Sequence, residues 1–139
     1  VSALHQATCV ALSGRGMLIE GPPGSGKSSL ALALIDRGAR LVGDDGVSLE
    51  VRSGQLLASP APLTAGMLEV RNLGIVPFPP ASEIPVALVL LLDREAPRFI
   101  EQAEQVVRRG VSLPMIRLWP ASPVLHLRAE LALDRHGLR

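Results

Sequence analysis

Apolar and polar positions along this chain follow two periods, one of strands and one of helices. Cys9 to Leu12 and Met17 to Ile19 are short apolar runs separated by Ser13-Gly14-Arg15-Gly16, a turn-rich spacer that predicts a β-hairpin. Leu30-Ala31-Leu32-Ala33-Leu34-Ile35 predicts a helix over about Lys27 to Asp36, ending at Arg37-Gly38, where glycine takes the left-handed C-terminal position. Leu41-Val42 then leads into two carboxylates, Asp44-Asp45. From Val47 to Arg52, Val, Leu and Val alternate with Ser, Glu and Arg, and Ser53-Gly54 follows, so a strand-turn-strand unit is expected. Pro60-Ala61-Pro62 breaks the pattern, Met67 to Ile75 is mixed, and Pro77, Pro79, Pro80 and Pro85 frame a loop. Val86 to Leu92 is continuous and rich in Val and Leu, the signature of a strand buried on both faces. Pro97 at a first turn and Gly110 past an end predict a second helix over Pro97 to Arg109. Met115 to Leu118 predicts a last strand, and Pro123 to Leu133 a last helix with Leu125, Ala129 and Ala132 on one face.

Strands alternating with helices argue for an α/β fold, and the two hairpins argue for a mixed sheet rather than a fully parallel one. The 139 residues, 47% of them hydrophobic, suit a single domain over residues 1–139 with a sizeable core. Aromatics are only 2%, so Leu, Val, Ile and Ala must build that core. A formal net charge of +1 with interspersed signs gives no polyelectrolyte surface, so no nucleic-acid partner is expected. The single cysteine, Cys9, lies in an apolar strand and is expected to be a buried, inert thiol. The longest apolar run is far too short to span a bilayer, so no membrane partner is expected and a cytoplasmic location fits best.

The candidate chemistry begins where the second strand meets the first helix. Gly21-Pro22-Pro23-Gly24-Ser25-Gly26-Lys27-Ser28 spells G-x-x-x-x-G-K-S between Met17-Leu18-Ile19 and the helical run, the flanking that a phosphate-binding P-loop requires. Glycines let the backbone curl around an anion while the helix presents its positive end. Lys27 supplies charge for β and γ phosphates, and Ser28 a hydroxyl for Mg²⁺. A nucleoside triphosphate is therefore the expected ligand.

Asp44 and Asp45 should stand at the carboxyl end of a strand, where open α/β sheets keep their ligand crevice. One can hold a metal or its water while the other accepts a proton from an attacking hydroxyl; a solvated Asp-Asp-Gly turn is the competing reading. Glu69 could be a second metal ligand and Arg71 could steady a transferring phosphoryl group, although a strand exposing Glu and Arg on one face explains both residues as well. His5 reads equally as a surface histidine, and Arg94, Arg98, Arg108 and Arg109 as a solvated face. No H-R-D or D-F-G pattern is present, which excludes the eukaryotic protein-kinase fold, and only Leu92-Asp93 imitates the strand-ending aspartate of motor-type ATPases. A small-molecule P-loop kinase, a nucleotide hydrolase and a catalytically decayed nucleotide-binding regulatory module all fit these residues.

Taken together, His5, the Gly21–Ser28 loop, Leu41-Val42-Gly43-Asp44-Asp45 and Leu68-Glu69-Val70-Arg71-Asn72-Leu73-Gly74-Ile75-Val76 resemble the catalytic domain of bacterial HPr kinase/phosphorylase in order and separation. The resemblance implies a P-loop nucleotide-binding fold similar to the core of phosphoenolpyruvate carboxykinase. It also implies an ATP- and Mg²⁺-dependent serine kinase acting on HPr or a related phosphocarrier of the sugar phosphotransferase system. Carried over by position, Gly21 to Ser28 bind the nucleotide, Lys27 contacts its phosphates, and Ser28 and Glu69 ligate Mg²⁺, to which the reading of the paired carboxylates adds Asp44 on the metal side. Asp45 is then the proton acceptor, with His5 and Arg98 joining the active site. A homo-oligomer, and a sensor kinase as a second partner, are further implications. Ser29 departs from the family's frequent glutamate, and the glycine-rich loop is reduced to Pro77–Glu83. A Pro-Val-Lys-Val-Gly-Arg pattern tied to dephosphorylation is replaced by Leu118-Trp119-Pro120-Ala121-Ser122, which argues against phosphorolysis. The chain resembles the short form that contains only the C-terminal catalytic domain.

Overall fold

The computed structural model describes all residues 1–139. Eleven strands and two helices follow in the order β1 (Ser2–His5), β2 (Thr8–Leu12), β3 (Arg15–Glu20), α1 (Lys27–Asp36), β4 (Arg40–Gly43), β5 (Val47–Arg52), β6 (Gln55–Pro60), β7 (Met67–Val70), β8 (Gly74–Pro77), β9 (Ile84–Leu92), β10 (Glu104–Arg108), β11 (Val111–Leu118) and α2 (Leu125–His136). A short 3-10 turn, Pro62–Thr64, stands before β7. The main sheet runs β1-β5-β6-β9-β3-β2-β4, and β11, carrying β10 on its outer edge, also pairs with β9. β7 and β8 form a separate hairpin.

Strand β9 organises the molecule. It runs parallel to β3 and to β11, while β6 meets only its first residues, antiparallel, through Leu57↔Pro85 and Ala58↔Ile84. β6 and β11 thus take successive stretches of one flank of β9, and the sheet curls. The result is a mixed α/β sheet, as the paired hairpins predicted.

Burial explains the apolar run of β9, because hydrophobic clusters cover both faces of the sheet. Leu88, Leu90 and Leu92 face α1 and α2, together with Met17, Ile19, Leu30, Leu34, Ala129 and Leu133. Val86 and Val89 face the other way, with Leu18, Val42, Leu49, Leu56, Leu113 and Cys9. The alternation slips once, where Gly16↔Val86 is followed by Met17↔Leu88 and Ala87 is left over as a bulge. Its carbonyl accepts a hydrogen bond from Leu138 N–H at 2.9 Å, tying the C-terminal end to the central strand. Cys9 is fully buried, and that burial pushes its thiol up to about 12, the inert state expected for it.

Three two-residue turns close hairpins with both central residues at positive φ: Ser13-Gly14, Ser53-Gly54 and Arg109-Gly110. This is the primed-turn geometry whose twist matches the strands it joins. The third turn corrects the helix expected over Pro97 to Arg109. Residues 97–103 form no helix or strand, and Glu104–Arg108 is β10, paired with β11 through Arg108↔Val111. Val106 and Val107 favour a strand, and Gly110 serves the hairpin turn rather than a helix end. The last helix lies where the periodicity placed it, shifted to Leu125–His136, with Leu125, Ala129 and Ala132 buried. The last strand extends back to Val111, and β1 had no predicted counterpart.

Candidate functional site: a phosphate loop facing two carboxylates

The first helix begins at Lys27, as its pattern predicted, and the loop that enters it bends through glycines. Gly24 and Gly26 have φ of 79° and 101°, and Gly26 is the residue that caps α1. Gly21, at φ 155°, has no room for a side chain: a Cβ there would lie 2.8 Å from Ser25 Oγ and 3.2 Å from the Leu92 carbonyl oxygen. Ser25 N–H donates to the Pro22 carbonyl at 3.1 Å, closing a turn over the helix end. Lys27 Nζ donates to the carbonyls of Gly21 (2.9 Å) and Pro22 (3.1 Å), so the ammonium is held across the loop's opening.

β4 delivers the carboxylates. Asp44 is the hub of the site: its Oδ1 accepts from Ser28 Oγ at 2.6 Å and from Thr8 Oγ1 at 3.1 Å, and its Oδ2 from Glu69 N–H at 3.1 Å. α1, β2 and β7 therefore converge on one side chain. Thr8, 1% exposed and the only polar residue in the buried set, also accepts from Asp45 N–H at 3.4 Å. Asp45 itself is exposed at φ 56°, a conformation that aspartate tolerates better than most residues. No protein donor engages its carboxylate, in contrast to Asp44. Upstream, Gly43 must remain glycine, since a Cβ would lie 2.5 Å from the Gly46 carbonyl oxygen.

A cavity of about 490 Å³ collects these groups: Thr8, Lys27, Ser28, Asp44, Asp45, Glu69 and Arg71 meet Gly24 and Gly26 of the loop, with no hydrophobic side chain among its lining. The sequence-derived residues Lys27, Ser28, Asp44, Asp45 and Glu69 thus share one space. His5 and Arg98 do not line it. His5 Nε2 lies 2.8 Å from Glu20 Oε2, and Arg98 is exposed in the segment after β9. Asp93, the imitator of an ATPase aspartate, lines a different cavity and is paired with Arg117 at 2.9 Å.

Two features escaped the sequence. Thr8 could have been noticed as a lone hydroxyl opening an apolar strand. Glu20, the residue before the loop, accepts two hydrogen bonds from Arg108, at 3.0 Å from Nε and 2.7 Å from Nη2, and one contact from His5. Burial by itself would raise the pKa of Glu20, but hydrogen bonds and charge from Arg108 and His5 outweigh it and hold the carboxyl below its ordinary value. Arg108 is therefore no solvated residue.

Ser28, Asp44 and Glu69 offer one hydroxyl and two carboxylates, hard oxygen donors of the kind Mg²⁺ takes. No grouping of three or more His, Cys, Asp or Glu side chains forms a protein-only metal cage. The donor set fits a cation that completes its shell with water and phosphate.

A glycine-bent loop on a helix end, beside strand-end carboxylates on a mixed sheet, defines an α/β domain of the P-loop class. Residues 2–80 match the sequence profile of the HPr Serine kinase C-terminal domain. The chain belongs to that family. It is 54% identical over 67 residues to the HPr kinase/phosphorylase of Clostridium beijerinckii and 53% identical over 66 residues to that of Clostridium tetani, each match covering 48% of this chain. The chain spans 22% of the length of those relatives. The structure of the Hpr(Ser) kinase/phosphatase from Coxiella burnetii superposes with a TM-score of 0.84 and 26% identity, covering 95% of this chain and 94% of that one. The structural likeness thus extends past residue 80 through β9 to α2. No helix is long and apolar enough to cross a membrane.

Proposed function

We propose that residues 1–139 act as one catalytic unit, an ATP- and Mg²⁺-dependent kinase that phosphorylates a serine of HPr or of a related phosphocarrier in the cytoplasm. The observation that carries this reading is the unequal state of the two adjacent carboxylates. Asp44 accepts three hydrogen bonds, whereas the Asp45 carboxylate faces the cavity with none.

The division of labour follows from that inequality. Loop N–H groups and Lys27 hold the triphosphate, and release of Lys27 Nζ from the Gly21 and Pro22 carbonyls frees its charge for the γ phosphate. Ser28, Asp44 and Glu69 would hold Mg²⁺, which neutralises charge on the phosphate oxygens when bound. Asp45 takes the proton of the attacking serine hydroxyl, and Arg71 stands on the wall of the same cavity as a second positive charge. Phosphoryl transfer demands mainly positioning and charge neutralisation, and these groups supply both. Its phosphate-dependent reversal is not part of the proposal, given the replaced segment at Leu118–Ser122. Family likeness favours a homo-oligomer. His5 is assigned a supporting role through its contact with Glu20 before the loop, and Arg98, which lines no part of the cavity, is given no role in the transfer.

Incubation with Mg·ATP and purified HPr-type protein, followed by mass spectrometry, should show phosphoserine on the carrier. Asp45→Asn should lower the transfer rate by about a hundredfold or more, while calorimetry shows ATP affinity within a few-fold of the parent. An Asp45→Asn protein that transferred phosphate at the parent rate would overturn the assignment of the base. ATP turnover on a metabolite but never on the carrier would favour a small-molecule kinase instead.

A further inference from the structure

Thr8 is a threonine where the fold asks only for an apolar residue. It opens β2, whose next residues Cys9, Val10 and Ala11 are buried, and is itself 1% exposed. Valine has the same branched shape, suits a strand equally well and carries no hydroxyl to desolvate. A buried hydroxyl needs partners, and those of Thr8 both line the polar cavity: Oγ1 donates to Asp44 Oδ1 at 3.1 Å and accepts from Asp45 N–H at 3.4 Å. We propose that Thr8 is the positioning residue of the site, fixing through one hydroxyl both the Asp44 carboxylate and the backbone that carries Asp45. The inference rests on the kinase reading above and deepens it.

Anchorage and lone pairs both single out this hydroxyl. Of the three donors to Asp44, Ser28 and Glu69 belong to the metal side and must answer to the cation, whereas Thr8 is rooted in β2, between β3 and β4. Thr8 is therefore the one donor whose place the sheet alone sets. Each carboxylate oxygen has two lone pairs, so Oδ1 is filled by Ser28 and Thr8. Oδ2 accepts only from Glu69 N–H and keeps a lone pair for the cation or its water. Without the Thr8 hydroxyl, Oδ1 regains a free lone pair and the carboxylate is free to turn, so Thr8 decides which oxygen meets the metal side.

The strand that Thr8 braces is also irregular at this end. Between β2 and β4, Cys9↔Gly43 is followed by Val10↔Leu41, which leaves Val42 over as a bulge, a device that re-aims the side chains beside it. Asp45, past Gly43 and Asp44, then sits at φ 56°. A left-handed backbone at a non-glycine residue persists where its surroundings hold it. The bond from Asp45 N–H to Thr8 Oγ1 is such a hold, and it ties the backbone of the base to the same atom that orients Asp44.

Thr8→Val removes the hydroxyl and keeps the shape, whereas Thr8→Ser keeps the hydroxyl and removes a methyl. Urea unfolding of each full chain checks that it folds, with Thr8→Ala taking the place of Thr8→Val if the latter does not. Calorimetry with ATP in Mg²⁺ and with ATP in EDTA then measures how far the cation strengthens binding. In Thr8→Val that strengthening should shrink by about tenfold, while ATP in EDTA binds within about twofold of the parent because its contacts lie in the loop. The kcat for carrier phosphorylation should fall by about tenfold or more, with KM for the carrier within about twofold. Thr8→Ser should recover most of both losses. A role in packing alone would move the urea midpoint and leave both readouts where they were. A folded Thr8→Val that keeps the parent's Mg²⁺ strengthening or the parent's kcat sinks the proposal, as does a Thr8→Ser that falls equally far. So does a parent whose ATP affinity Mg²⁺ leaves unchanged. Failure of the kinase reading looks different: the parent leaves the phosphocarrier unmodified, and the Mg²⁺ strengthening by itself then decides for or against Thr8.

Discussion

Asp44 and Asp45 are neighbours in sequence with opposite surroundings, and the contrast shows how little a residue's type says about its role. Asp44 is held by donors from Ser28, Thr8 and the Glu69 backbone, whereas Asp45, at φ 56°, is exposed and its carboxylate has no protein donor. Glu20 is a second case. As a lone acid at the end of an apolar strand it reads as a solvated strand terminus, yet its side chain is 14% exposed and clamped by Arg108 and His5. Because its pKa is lowered on folding, the stability it contributes is present above the ordinary carboxylate value and is lost as pH falls through the folded pKa. Urea titrations should therefore show the parent losing stability as pH drops below about 4.5, with part of that slope missing in Glu20→Gln. At neutral pH the same substitution should cost roughly 2 kcal/mol, since Arg108 loses a charge-assisted pair. An unchanged slope in Glu20→Gln would show that other carboxylates carry the acid response.

At the scale of elements, turn chemistry outweighed helix signals. Pro97 and Gly110 look like the start and stop of a helix, but two valines and an Arg-Gly turn make Glu104 to Leu118 a hairpin instead. The competing signals are separated by pairing: β11 lies parallel on β9, and only a strand can extend that sheet edge. Gly110, at φ 80°, has open space where its Cβ would be, so Gly110→Ala tests backbone conformation alone. It should lower unfolding free energy by about 1 to 2 kcal/mol, read from urea midpoints. Since β10 carries Arg108, the same change should also loosen the clamp on Glu20 and so the strand that enters the phosphate loop. The two helices that do form lie on stretches the sequence marked, α1 over Lys27–Asp36 and α2 shifted to Leu125–His136, each burying part of its surface.

For the whole molecule, β9 is the element on which the others depend. It holds β3 and β11 in parallel and buries Leu88, Leu90 and Leu92 against both helices, so it joins the cavity walls to the core. Leu90→Ala should cost about 2 to 5 kcal/mol of stability by urea denaturation. It should leave nucleotide affinity nearly intact at low temperature, provided the fold is retained, because no lining residue changes.

The sequence alone determined the phosphate loop, the helix after it, the Xaa-Gly hairpins at Ser13 and Ser53, the doubly buried strand and the order of chemistry-bearing residues through Val76. These are short-range properties: a glycine needed for a positive φ, a period of apolar residues and a fixed spacing are all written within a few positions. Tertiary structure alone decided that Thr8, Ser28 and Glu69 meet on Asp44, that Glu20 joins Arg108 eighty-eight residues away, and that His5 and Arg98 stand outside the polar cavity. Those facts depend on strand order and on the curl of the sheet about β9, which bring distant segments into contact through burial shared by the whole chain, and no local pattern encodes them.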